Sequence, residues 1–165
     1  KVELFSFAHP QNSREEHKFL VSLQEKLWKA LEIPYQVVQL ATGDMARPSS
    51  STIDIEAWLP GHPSTLRESS GQASSGRGAY REVSSASNTT DFQARRLNIR
   101  FKGKSGPPAG EAGKPEYVHM LNATAFAIGR TLIAILENYQ QKDGSVKIPK
   151  VLQKYVGKSQ IKKPT

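Results

Sequence analysis

Apolar residues recur at two spacings along this chain, and the switches between them mark the elements. Val2 to Ala8 is rich in Phe and Leu and alternates only in part, which reads as a strand. Asn12 or Ser13 then stands as an N-cap, with Glu15 and Glu16 in the first turn, and Phe19, Leu20, Leu23, Leu27 and Leu31 follow at helical spacing. That helix must stop before Ile33-Pro34, because the residue before a proline avoids the helical region. Tyr35 to Leu40 reads as a strand, Gly43-Asp44 as a turn, and Thr52 to Leu59 as a second strand. Its alternation puts Asp54, Glu56 and Trp58 on one face and Ile53, Ile55 and Ala57 on the other.

Residues 62–78 are rich in serine and glycine without any periodicity and read as a flexible insertion. The run Gly71 to Gly76 lacks the Gly-Lys-Ser/Thr ending of a phosphate loop. Tyr80 to Ser85 reads as a strand, and Thr89-Thr90-Asp91 as the cap of a short helix running to Arg96. Leu97 to Phe101 reads as a further strand, and residues 102–115, rich in Gly and Pro, as a second loop. Val118 to Leu121 leads into what reads as the longest helix, Ala123 to Gln140, with Leu132, Ile135, Leu136 and Tyr139 continuing its apolar face. Lys142-Asp143-Gly144 ends it, and Ile148-Pro149 opens a last short helix through Tyr155. Consecutive strands joined by hairpin-like loops predict an α+β fold, an antiparallel sheet flanked by helices. The repeating βαβ pattern and GxGxxG of a dinucleotide-binding fold are absent.

Composition narrows the chemistry. The 165 residues suit one domain. They contain no cysteine, which excludes disulfides, thiolate zinc sites and cysteine nucleophiles. The net charge of +8 suits a polyanion such as RNA, and equally a solubility surplus, part of it in the basic tail Lys158 to Lys163. No apolar run reaches the ~18 residues of a membrane span. The chain opens on Lys1 rather than Met, so a natural start and any address signal are expected upstream.

Three segments carry candidate chemistry. In Tyr80 to Asn88, a carboxylate with nearby hydroxyls and an amide suits a hard cation such as Mg²⁺, or is an ordinary polar strand edge. Alternation puts Glu82 and Ser84 on one face and Val83 and Ser85 on the other, unless the strand bends at Ser84. Asp91 to Arg100 carries Arg95, Arg96 and Arg100, which suit either a phosphate clamp or a solvated basic face. His119 to Leu132 combines small residues, Asn122 and Thr124 at a helix entrance, and Arg130 inside an apolar run, where it requires an anionic partner, a phosphate or a structural carboxylate. The four histidines show no metal-ligand spacing, and His119 reads as a packed histidine.

Taken in order, Lys1-Val2-Glu3-Leu4-Phe5, Thr42-Gly43-Asp44, Asp54 to Pro60, Arg81 to Asn88, Asp91 to Arg96, and Leu121-Asn122-Ala123-Thr124 through Gly129-Arg130 to Gln140 resemble the seryl-tRNA synthetases, class II aminoacyl-tRNA synthetases. The first segment is similar to the tail of that class's motif 2 and the last to its motif 3. The resemblance implies that residues 1–157 are the C-terminal part of a catalytic domain, with loops at 62–78 and 102–115 and a basic tail at 158–165. It implies ATP-dependent activation of serine and transfer to tRNA(Ser), with Mg²⁺. By matching positions, Glu3, Asn122 and Thr124 would bind serine; Glu82, Val83, Ser84, Ser85 and Arg130 would bind ATP; Glu82 and Ser85 would hold the metal; and Arg130 and Glu82 would be the catalytic pair.

Met120, Ala123 and Phe126 depart from the family pattern, and Ala123 and Phe126 are expected to narrow the pocket. The tRNA-gripping arm, motif 1 at the dimer interface, the Thr-x-Glu serine loop and the motif 2 arginine would all lie upstream of Lys1. The isolated chain is therefore expected to be inactive, and homodimerisation to use upstream regions. A catalytically incomplete paralogue that binds nucleotide, RNA or a synthetase partner is the alternative, with activation of another small amino acid a third reading. Asp54 to Trp58 and Asp91 to Arg100 are similar to the bacterial and organellar branch, and with the serine-rich insertion they lead to an expected mitochondrial matrix address, with the cytoplasm as the alternative.

Overall fold

A computed structural model describes residues 1–61, 78–102 and 115–162. In chain order it contains β1 (Val2–Ala8), α1 (Ser13–Ala30), β2 (Tyr35–Gln39), β3 (Ser51–Leu59), β4 (Ala79–Asn88), α2 (Phe92–Leu97), β5 (Arg100–Phe101), β6 (Glu116–Tyr117), β7 (His119–Phe126), α3 (Ile128–Tyr139), β8 (Val146–Lys147), α4 (Lys150–Val156) and β9 (Gln160–Ile161). The expected antiparallel sheet is present, five strands in the order β1-β7-β4-β3-β2, every pair antiparallel. Helices α1 and α3 cover one face, held to each other by the Tyr139 hydroxyl donating to the Leu31 carbonyl. The expected insertion at 62–78 and loop at 102–115 fall almost entirely outside the described residues.

The buried stripe of α1 is not the leucine series alone. Ser13, His17, Leu20, Val21, Gln24 and Trp28 face the sheet, while Phe19 stands exposed. Each of the three polar members and the Trp28 indole has at least one partner, and Gln24 Oε1 alone of their buried side-chain polar atoms has none among the described residues. Ser13 Oγ donates to the Pro10 carbonyl, His17 Nε2 donates to the Ala86 carbonyl at 2.9 Å, and Trp28 Nε1 donates to Ser84 Oγ at 3.3 Å. The fully buried Gln24 donates from Nε2 to both Ser85 O (3.0 Å) and Thr124 O (2.9 Å). The β4–β7 ladder pairs only Ala86–Asn88 with Leu121–Ala123. Gln24 therefore satisfies the two carbonyls that stand just where the strands part.

Several expected boundaries move, for identifiable reasons. The long helix expected from Ala123 instead begins at Ile128, and residues 123–126 complete β7. Ala123 is paired with Leu4 on one side and Ala86 on the other. A short apolar run does not by itself distinguish a buried central strand from a helix, and ladder pairing overrides the helical preference of alanine. Asn122 and Thr124 thus project from a strand, not a helix entrance. Ala123 is fully buried and Phe126 packs edge-on against Trp28 at 6.1 Å, both in the helix-covered core, so neither narrows a substrate pocket. The strand expected at Leu97 shrinks to β5, because α2 runs through Leu97 and Asn98 ends it in the left-handed conformation (φ 54°). Within the expected basic tail, Gln160–Ile161 pairs with Val146–Lys147.

Two outcomes follow for the protein that carries this chain. Gln24→Leu takes this donor from one buried and one part-buried carbonyl while also removing the unpaired Oε1, and should cost about 1 kcal/mol or more, read from denaturant midpoints. An unchanged midpoint would show that the strands close on their own. His119 donates from Nδ1 to Ser13 Oγ at 2.8 Å, since that hydroxyl's own hydrogen points at Pro10. Burial lowers the His119 pKa, with Asp91 opposing and His9 reinforcing the shift. The folded state therefore takes up this proton at lower pH than the unfolded chain. The stability it contributes is complete above about pH 6.5 and falls as the pH drops below that value. The melting temperature should fall between pH 7.5 and 5.5, and less steeply in His119→Gln; equal slopes would clear His119.

Candidate functional site

A β-bulge decides which side chains meet. Ile55 pairs with Ser84 and Glu56 with Glu82, which leaves Val83 as an extra residue in β4. The bulge turns both Val83 and Ser84 into the core, where each is about 1% exposed. Glu82 and Ser85 are thereby brought to the opposite face, which strict alternation would have denied them. The side chains of Val83 and Ser84, expected at ATP, cannot reach a ligand on that face; Ser84 Oγ is engaged by Trp28.

Strand pairing assembles the rest of this face. Glu3 lies opposite Thr124, and Thr124 Oγ1 donates to Glu3 Oε1 at 3.1 Å, with Lys1 Nζ 2.7 Å from the same oxygen. Asn122, half-buried, lies opposite Phe5 on one side and Ser87 on the other. Ser87 and Thr52 share a hydroxyl–hydroxyl hydrogen bond at 3.0 Å. Asp54 pairs with Ser85 in the ladder.

Arg130 enters from the first turn of α3. Its Nη1 donates to the Glu82 carbonyl at 2.6 Å and lies 3.1 Å from Glu82 Oε2. The expected burial of Arg130 in an apolar run does not hold. Its side chain is 56% exposed, because it sits at the helix start and reaches away from the run that follows. The far end of α3 is anchored by Asn138 Nδ2 donating to the Trp58 carbonyl and Glu137 Oε2 accepting from the Gly61 amide at 2.7 Å.

The arginines of the α2 region do not converge on a clamp. Arg95 pairs with Asp91, Arg96 lies over the Phe92 ring, and Arg100 lies over Tyr117.

Asp54 is the member that sequence reasoning left out. It is 7% exposed, and its Oδ1 is buried without a hydrogen-bond partner among the described residues. Burial raises its pKa; the Ser85 hydroxyl opposes this, the Glu82 and Glu56 carboxylates add to it, and Arg130 opposes it. The available signal was its alternation against Ile53 and Ile55, which placed it on the open face.

The face can bind an ammonium or hydroxyl at Glu3–Thr124 and a phosphate at Arg130. Among the described residues no three His, Cys, Asp or Glu side chains cluster closely enough to hold a metal ion. Glu82 and Ser85 form a sparse, all-oxygen pair, which fits Mg²⁺, an ion that keeps several waters and takes one or two protein ligands beside substrate phosphates. No described helix is long and apolar enough to cross a membrane.

Known proteins share this architecture and sequence. The chain is 51% identical over 162 residues to the serine--tRNA ligase of Dictyoglomus thermophilum and 50% identical over 164 residues to that of Bdellovibrio bacteriovorus. These matches cover 98% and 99% of the chain, which spans about a third (33%) of each relative. Its fold superposes on seryl-tRNA synthetase from Pyrococcus horikoshii complexed with ATP with a TM-score of 0.83 at 46% identity, covering all of this chain and 32% of that one. It also superposes on the cytoplasmic serine-tRNA ligase of Naegleria fowleri in complex with AMP, with a TM-score of 0.79 at 35% identity, covering all of this chain and 34% of that one. Residues 1–139 match the family profile of the tRNA synthetase class II core domain (G, H, P, S and T), and the chain belongs to that family.

Proposed function

We propose that the protein carrying this chain is a serine--tRNA ligase, which activates serine with ATP and transfers it to tRNA(Ser). The observation that carries this reading is the convergence of Glu82, Ser85 and Arg130 beside the Glu3–Thr124 pair. The identity to serine--tRNA ligases and the ATP- and AMP-bound structural relatives support it.

The reaction asks for little side-chain chemistry. The serine carboxylate attacks the α-phosphorus of ATP, pyrophosphate leaves, and a ribose hydroxyl of tRNA then takes the seryl group from the adenylate. Positioning and charge neutralisation supply most of the rate. Glu3, fixed by Thr124, presents a carboxylate to the serine ammonium or hydroxyl, and Asn122 and Thr124 border the same place. Arg130 holds a terminal phosphate of ATP. Glu82 and Ser85 would hold Mg²⁺, which when bound neutralises phosphate charge. Glu82 and Arg130 neutralise each other in a half-exposed pair, which a cation at Glu82 and a phosphate at Arg130 would replace.

The serine-gripping loop, the motif 2 arginine, the tRNA-binding arm and a homodimer interface belong, in this reading, to regions outside this chain. A catalytically incomplete paralogue that binds nucleotide, RNA or a synthetase partner is the second reading.

In the full-length protein, Arg130→Ala should slow serine-dependent ATP–pyrophosphate exchange on the order of 10²-fold or more. An unchanged rate would make Arg130 structural, and no exchange in the wild type would favour the paralogue. We further propose a mitochondrial matrix address, supported by the resemblance of Asp54 to Trp58 and Asp91 to Arg100 to the bacterial and organellar branch. Imaging of the tagged full-length protein should show mitochondria, and a purely cytosolic signal would refute this.

A further inference from the structure

A cavity of about 790 Å³ opens at the other end of the sheet from the candidate site. The first turns of α1 form one wall, with Arg14 and Lys18; the end of β2 and the start of β3 form the other, with Gln39 and Ser51. β4 reaches it only through Asn88, its last residue, six positions and roughly 20 Å along the strand from Glu82. The floor is polar and already tied. Ser13, His17 and Asn88 are each no more than 5% exposed. His17 Nε2 is bonded to the Ala86 carbonyl, Asn88 Nδ2 donates to the Ser13 carbonyl at 3.3 Å, and Asn88 Oδ1 accepts from the Thr90 amide at 2.9 Å.

The cations on the α1 wall are not tied. Arg14 and Lys18 are exposed and stand four residues apart on one flank of the helix, where like charges oppose each other. Neither makes an ion pair or a side-chain hydrogen bond among the described residues. Glu16 accepts from Ser6 Oγ at 2.6 Å rather than serving either of them, and no Asp or Glu lines the cavity. We propose that this cavity binds a phosphate group between Arg14 and Lys18, at a place separate from the ATP and serine positions read above. Arginine offers a planar fork for two phosphate oxygens and lysine a point charge, and two adjacent cations match an anion that carries more than one charge. No Phe, Tyr or Trp lines the cavity to stack a base, so the phosphate is what it reads. A small anion such as pyrophosphate and the backbone of RNA both present that chemistry.

The test is calorimetric titration of the full-length protein at low salt, with pyrophosphate and separately with an unstructured oligouridylate. Wild type is compared with Arg14→Ala/Lys18→Ala, with Arg130→Ala, and with Lys26→Ala, which removes an exposed α1 cation outside the cavity. Wild type should show two classes of pyrophosphate site. The double substitution should weaken one of them by about 10-fold or more and leave ATP–pyrophosphate exchange within about twofold. Arg130→Ala should spare the class that the double substitution removes. If the double substitution instead weakens only oligouridylate binding and lowers its log–log salt slope by roughly 1.4, the phosphate comes from RNA. Unchanged binding of both probes in the double variant would overturn the proposal. So would an equal loss in Lys26→Ala, which would make net charge alone the attraction. Both side chains are exposed, so the melting temperature should stay within a few degrees of wild type; a large drop with both classes of site lost would make the pair structural and also overturn it.

Discussion

Everything on the open face depends on how the sheet is held where it splits. β7 lies between β1 and β4, but the β4–β7 ladder ends at Ala86 and Ala123. The next residues, Ser85 and Thr124, carry two of the side chains of the candidate site, and no ladder pairing ties their strands there. The Gln24 amide does so from the helix side, using both of its hydrogens. A backbone carbonyl buried without a donor costs about 1–3 kcal/mol, so the amide does more than fill space in the core. Through this one side chain, the position of α1 is coupled to the separation between the Glu3–Thr124 pair and the Glu82–Ser85 pair.

The bulge at Val83 does complementary work along the strand. A regular strand would place Glu82 and Ser85 on opposite faces, since three positions apart is an odd number of pleats. One extra residue restores them to one face, and the core absorbs the consequence by burying Val83 and Ser84 side by side. Trp28 fits that local irregularity, its indole N–H meeting the Ser84 hydroxyl. Polar contacts from α1 thus accompany both departures of the sheet from regularity.

The sheet and helix order was legible because it rests on hydrophobic period, and α1 and β3 run almost as their spacing predicts. The start of α3 was not. Ala123 to Phe126 has no alternation to report, since its small residues fit strand or helix alike. The family was legible through ordered motifs, although the geometry of the candidate site was not. A bulge adds a residue without any local sequence mark, so the fates of Val83 and Ser84 required the register. Gln24 and Asp54 were passed over for a common reason: a polar residue inside a helix stripe or a strand face is read as solvent-facing until its tertiary partner, or the lack of one, is seen.

The same register explains how the face can be charged and still stable without ligand. Glu3 is balanced by Lys1 and Thr124, and Glu82 by Arg130, each at a partly exposed position where solvent screens what the pairing does not. Such half-exposed pairs are individually weak, with contributions of about 0–1 kcal/mol, and are therefore easily exchanged. A phosphate that offers Arg130 two oxygens in place of one carboxylate contact gains more than the lost pair was worth. Asp54 differs because it is buried and makes no ion pair among the described residues. Its oxygen cannot be appeased by solvent, so the face is stable in its exposed parts and unsatisfied at one interior point, directly across from Ser85.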